Sequence, residues 1–137
     1  MLSLVYVSYA TVPFSDADLD ALLAKSRENN TRDGISGMLL YRDGDFLQVL
    51  EGPEDKVREA YARIARDNRH GRIMMLDEST VDERAFASWS MGFRRLKRSD
   101  IPEGFVDFFD RRFDPTTLKA RGSEAYQYLL GFRQIAA

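Results

Sequence analysis

The sequence predicts an α+β fold: a five-stranded mixed sheet with two helices on one face and C-terminal helices on the other. Three observations predict it. Short runs rich in Val, Leu, Ile, Tyr and Phe alternate with two stretches of helical period. Asp43-Gly44 sits between two of those runs, a strong hairpin signal. After Ser99 the texture changes to aromatic residues at helical spacing.

The elements follow in order. LSLVYVSYA, from Leu2, reads as the first strand, with Leu2, Leu4, Tyr6 and Ser8 on one face and Ser3, Val5 and Val7 on the other. TVPFS is a loop, and Ser15 with Asp18 forms a weak capping box. The helix that follows carries Leu19, Leu22 and Leu23 inward, continues that stripe through Ser26 and Asn30, and stops at Gly34. ISGMLLY and FLQVL are strands two and three around the RDGD turn. Pro53 opens a second helix whose inner stripe is Val57, Tyr61 and Ile64 beside Ala60. IMMLDES is strand four, and WSMGFRRL is strand five.

The order βαββαββ is that of a ferredoxin-like sheet with one extra strand. Right-handed crossovers lead to the expectation that strands one and three are parallel neighbours. The expected division is a domain over 1–97 and a helical cap or extension over 98–137. In the extension, Phe105, Phe108 and Phe109 stand at helical spacing, and GSEAYQYLLGFRQ offers another helix with Ala125, Leu129 and Leu130 inward. Such short helices are weak alone. They belong on the apolar back of the sheet, made by Val5, Val7, Leu47 and Val49, or on a partner.

Composition narrows the function. A 44% hydrophobic content supports a real core, and 20 Lys+Arg against 22 Asp+Glu leave no basic field for nucleic acid. Cysteine is absent and His70 stands alone, so thiolate and multi-His metal sites are excluded. No secretory leader opens the chain, and no apolar run approaches the ~18 residues of a membrane span. The expected location is the cytoplasm.

One residue breaks the pattern. In GDFLQVLEG both strand faces are apolar, yet Gln48 sits in the middle. An unpartnered buried amide costs roughly 1–3 kcal/mol, so something on that face must bond to it. Tyr6 can lie beside it, Asn29 and Asn30 end the helix over the same face, and Trp89 or Met91 arrives from strand five. Taken singly, each has an ordinary structural reading: a bonded core amide, a core tyrosine, a helix-end signal, strand-core residues. His70 alone reads as a loop or helix-end cation, and Arg63 as a solvated or ion-paired one.

Together, LVYVSYAT, NNTRDGISGMLLY, GDFLQVLEGP, YARIARDNRH and ERAFASWSMGF resemble, in collinear order over about residues 1–97, the BLUF family, the blue-light sensors that use flavin. Asn68 departs from the family, where proline is common, and Tyr9 adds a second tyrosine. The resemblance implies a noncovalent flavin between the two helices, FAD by expectation, with FMN or riboflavin possible. It implies that Tyr6 is the photoactive donor of an electron and proton, and that Gln48 is the amide linking it to the flavin. Asn30 would hold the polar edge of the ring. Ser26, Asn29, Arg63, Asp67 and His70 would line the rest of the site, and Trp89 and Met91 would relay the signal.

The implied protein is a receptor and not an enzyme. Its output would pass through strand five and the extension to a protein partner, with a homodimer or larger assembly expected. Two alternatives come from other classes. An acylphosphatase-like hydrolase needs an Arg-bearing anion loop after strand one, and SYATVPFS has neither Arg nor Gly. A light-insensitive ferredoxin-like interaction module needs no Tyr6–Gln48 pair.

Overall fold

The computed structural model describes residues 1–97 and 120–131. Its elements are β1 (Leu2–Ala10), α1 (Asp16–Asp33), β2 (Ser36–Arg42), β3 (Asp45–Gly52), α2 (Glu54–Arg66), β4 (His70–Thr80), β5 (Gly92–Arg95) and α3 (Gly122–Leu130). The strands form one sheet in the order β4-β1-β3-β2-β5. The expected helix bearing Phe105, Phe108 and Phe109 lies outside the described residues.

Local chemistry sets the boundaries. Ser15 accepts from Asp18 N at 3.1 Å while Asp18 accepts from Ser15 N at 2.9 Å, so the capping box is complete. Gly34 ends α1 in the left-handed region, at φ 71°. Asp43 and Gly44 both have positive φ, 50° and 93°, which matches the twist of a tight two-residue hairpin.

The expected parallel pairing of strands one and three is wrong: β1 and β3 are antiparallel, with Tyr6 opposite Gln48. A crossover through α1 makes β1 parallel to β2. The hairpin partner β3 inserts between them and must run the other way. β5 is the parallel strand, pairing with β2 through Met38–Gly92 and its neighbours. It is also shorter than expected, beginning at Gly92, so Trp89 and Met91 precede it.

Two apolar layers flank the sheet. On the front, Leu19 and Leu23 of α1 and Val57 and Ala60 of α2 pack on Leu4, Tyr6, Leu39, Phe46 and Leu50. On the back, Ala125, Tyr128 and Leu129 of α3 cover Val5, Val7, Leu47 and Val49, together with Phe86. The back of the sheet is thus the surface the C-terminal helix covers. Gly122 permits that contact, because a Cβ there would lie 1.9 Å from Leu76 O.

Candidate functional site

The site starts from the β1–β3 register. Because Tyr6 and Gln48 are directly opposed on the front face, their side chains meet. The Tyr6 hydroxyl donates to Gln48 Oε1. The other end of the amide is also used: Gln48 Nε2 donates to Met91 Sδ at 3.2 Å. All three side chains are buried, Gln48 being 5% exposed. The amide is therefore satisfied without charge, as its place in an apolar strand requires.

Gln48 also forms part of the wall of a cavity of about 340 Å³ between α1 and α2. Leu22, Leu50, Ala60 and Ile64 supply apolar wall, while Ser26, Asn29, Asn30, Arg63 and Asp67 supply polar groups. Asn30 is buried and donates from Nδ2 to Ser90 O at 2.8 Å, which ties the end of α1 to the segment before β5. Arg27 Nε donates to Met91 O at 3.0 Å beside it.

Six of the residues expected in the site thus line one cavity, and Tyr6 stands behind Gln48. His70 is not in the lining. Its Nδ1 pairs with Ser8 Oγ at 3.1 Å, and its ring meets Phe46 edge-on at 5.1 Å. Trp89 is not there either. It packs beside Phe86 at 6.2 Å in the back layer. The expected cluster of phenol, amide, carboxamides and indole therefore has no indole. The strand begins after Trp89, so strand alternation does not carry its side chain to the front.

Lys25 and Arg69 also line the cavity. Lys25 lies four residues before Asn29 and Leu22 seven before it, so helical spacing from Asn29 points to both. Arg69 donates to both Asp67 carboxylate oxygens, at 3.1 and 2.7 Å. That bonding holds Asp67 down at about 2, although burial opposes it. Burial pushes the Tyr6 phenol far up, and Tyr61, edge-on at 5.5 Å, adds to the shift. Burial likewise holds the His70 imidazole below its ordinary value. Tyr6 is therefore a neutral hydrogen donor, and His70 favours its neutral form.

A larger cavity of about 640 Å³ lies elsewhere, among Phe14, Asp16, Tyr41 and Arg95, and contains none of the expected site residues. Among the described residues no cluster of His, Cys, Asp or Glu could hold a metal, and no helix is long and apolar enough to cross a membrane.

A family model for BLUF, described as sensors of blue-light using FAD, matches residues 1–92. The chain belongs to the BLUF family. Its description is that of a flavin-using sensor domain, not of a catalytic one. The photoactivated adenylate cyclase subunit beta of Euglena longa is 37% identical over 92 residues, which are 66% of this chain and 11% of that protein. The chain thus spans about a tenth of this relative, too little to carry a cyclase activity across. The blue light- and temperature-regulated antirepressor BluF of Escherichia coli (strain K12) is 26% identical over 119 residues, 85% of this chain and 30% of that one. Among solved BLUF structures, the BlsA ground state has TM-score 0.76 at 27% identity, covering 99% of this chain and 89% of that one. BlrB in its dark state has TM-score 0.66 at 35% identity, covering 69% and 71%.

Proposed function

We propose that this chain is a blue-light receptor that holds a flavin in the cavity between α1 and α2, and that Tyr6, Gln48 and Met91 convert light into a change of hydrogen bonding. The observation that carries the reading is the Tyr6–Gln48–Met91 chain: Gln48 forms part of the cavity wall while its amide joins the other two.

The residues fit the group. Leu22, Leu50 and Ile64 suit the faces of a flat aromatic ring, and the carboxamides of Asn29, Asn30 and Gln48 suit its polar edge. Lys25 and Arg63 bring positive charge to the same wall, which suits the phosphates of FAD or FMN over riboflavin. When bound, the flavin supplies the light-absorbing group and, once excited, a strong oxidant.

The chain's own groups do the rest. Tyr6 is the electron and proton donor, and its burial keeps that proton on the oxygen in the dark. Gln48 has a donor end and an acceptor end, so turning over or tautomerising changes its partners without importing charge. Met91 distinguishes the arrangements. A thioether accepts a hydrogen bond and cannot donate one, so it favours the orientation that presents Nε2. A turned amide presents oxygen to sulfur and loses that bond. Asn30 and Arg27 connect the same place to α1 through Ser90 O and Met91 O.

Output passes through Met91 and β5 to the C-terminal extension and onward to a protein partner or a second copy of the chain, in the cytoplasm. The antirepressor among the relatives supports output by protein contact.

The test is Gln48→Leu. The variant takes up FAD, and illumination no longer shifts its absorption to the red while the wild-type protein shifts and recovers in the dark. An intact shift in the variant overturns the role of Gln48. A wild-type protein that takes up no flavin removes the receptor reading and leaves a plain interaction module.

A further inference from the structure

Glu51 is on the sheet's back face, away from the cavity, between Ser3 of β1 and Ser36 of β2 in the cross-strand register. It is 0% exposed. A buried carboxyl group needs partners, and Glu51 has three. Oε1 accepts from Ser36 Oγ at 2.9 Å and from Phe86 N at 2.6 Å, and Oε2 accepts from Ala85 N at 2.9 Å. Two of the three donors are backbone groups of segment 84–91, which belongs to no helix or strand.

Arg84 closes the same corner from outside. It donates to Ser36 Oγ at 2.9 Å, to Glu51 O at 3.3 Å and to Gly34 O at 2.6 Å. The far end of the segment carries Met91, whose sulfur meets Gln48. The segment is therefore a strap. Glu51 pins its start on the back of the sheet, and Gln48, Asn30 and Arg27 pin its end on the front.

One neighbour is idle. The Ser3 hydroxyl is buried and makes no hydrogen bond among the described residues. It stands directly across the ladder from Glu51, where opposed Cβ atoms are about 5 Å apart. If Ala85 N and Phe86 N withdraw, Ser3 can donate in place of one of them while Ser36 keeps its bond. Glu51 thus has replacement bonding built in for a state in which the strap has left.

The geometry points to Glu51 as a positioning residue: its carboxyl group latches strap 84–91 so that Met91 stays on Gln48, and it releases the strap when Gln48 turns. The release half rests on the receptor reading. The latch half rests on the bonds alone. Loss of the Gln48–Met91 bond removes the one side-chain contact between the strap's end and the amide, and leaves that end on the backbone bonds from Arg27, Asn30 and Gly37. The start is held by Arg84, by the buried Phe86 ring and by two backbone donors to Glu51, one of which Ser3 can replace.

Hydrogen exchange of the full chain, in the dark and under blue light, tests both halves. Glu51→Gln puts an amide donor where a backbone donor points, so at least one bond is lost. Amides of 84–91 should exchange about tenfold faster in the dark, while β1 and β3 keep wild-type protection. Ser3→Ala should leave dark exchange unchanged and, in the FAD-loaded protein, shorten the lit state several-fold. Ser36→Ala, a milder change outside the strap, should give a smaller loosening of the same segment.

Wild-type exchange over 84–91 in both Glu51→Gln and Ser36→Ala overturns the latch. So does loosening spread evenly over the whole sheet, which marks Glu51 as an ordinary core residue. Wild-type 84–91 exchange that does not change under light, in a protein whose absorption does shift, overturns release. A chain that takes up no flavin fails the receptor reading, and the dark comparison still decides the latch.

Discussion

Gln48 is held by a phenol on one side and a sulfur on the other, and only one of those partners can reverse its role. The hydroxyl of Tyr6 can donate or accept, whereas the sulfur of Met91 can only accept. The amide's preferred orientation is thus a property of Met91 more than of Tyr6. Tyr6→Phe should therefore keep FAD and the fold but fail to cycle normally, read as loss of the reversible red shift. If the Tyr6→Phe, Tyr9→Phe double variant still photocycles, the tyrosine role is wrong. His70 gives a prediction of a different kind. Its folded pKa lies below the ordinary 6.5, chiefly through burial. The unfolded chain then binds the proton more readily, so the neutral ring's contribution is fully present above about pH 6.5 and falls as pH drops below it. Urea midpoints between pH 8 and 5 should decline in the wild-type protein and flatten in His70→Gln. Asp67, held at about 2 against 3.8, acts in a separate window, losing its contribution between about pH 4 and 2. The sequence shows Gln48 as an anomaly because a polar residue interrupts an apolar strand. It does not show Glu51 in the same way, because a charged residue at a strand end looks solvated until the strap covers it.

Among the elements, the hairpin, the cap and the back-face helix were legible because each depends on nearby residues. Asp43-Gly44 fixes the turn, Ser15 and Asp18 fix the start of α1, and the spacing of Ala125 and Leu129 fixes the inner face of α3. The β1–β3 direction needed one more step, since crossovers relate β1 to β2 and β3 to β4 but not β1 to β3. The start of β5 was not legible, because hydrogen bonds to Glu51 and from Asn30 and Arg27 hold residues 85–91. Such distant partners leave no local period. Lys25 was within reach of helical spacing, whereas Arg69 joins the wall from the turn after α2. At this scale Gly122 is the sensitive point. Gly122→Ala places a methyl group 1.9 Å from Leu76 O, so α3 must shift. The expected cost is about 1–3 kcal/mol, read as a lower urea midpoint with flavin uptake retained.

Across the whole molecule, one sheet serves two layers. The front layer holds the cavity, and the back layer holds α3, Phe86 and Trp89. Truncation after residue 97 strips α3 from Val5, Val7, Leu47 and Val49. We expect the truncated protein to keep its flavin spectrum while becoming less soluble or changing its assembly, measured by light scattering; loss of flavin uptake would mean the extension helps build the cavity. β5 is four residues long, begins immediately after Met91 and, among the described strands, pairs only with β2, at the sheet's margin. The chain after β5 therefore follows within a few residues of the sulfur that meets Gln48. In the receptor reading this makes the detector portable: different cargo can be grafted after β5 without rebuilding the cavity, and the same small displacement would drive each one.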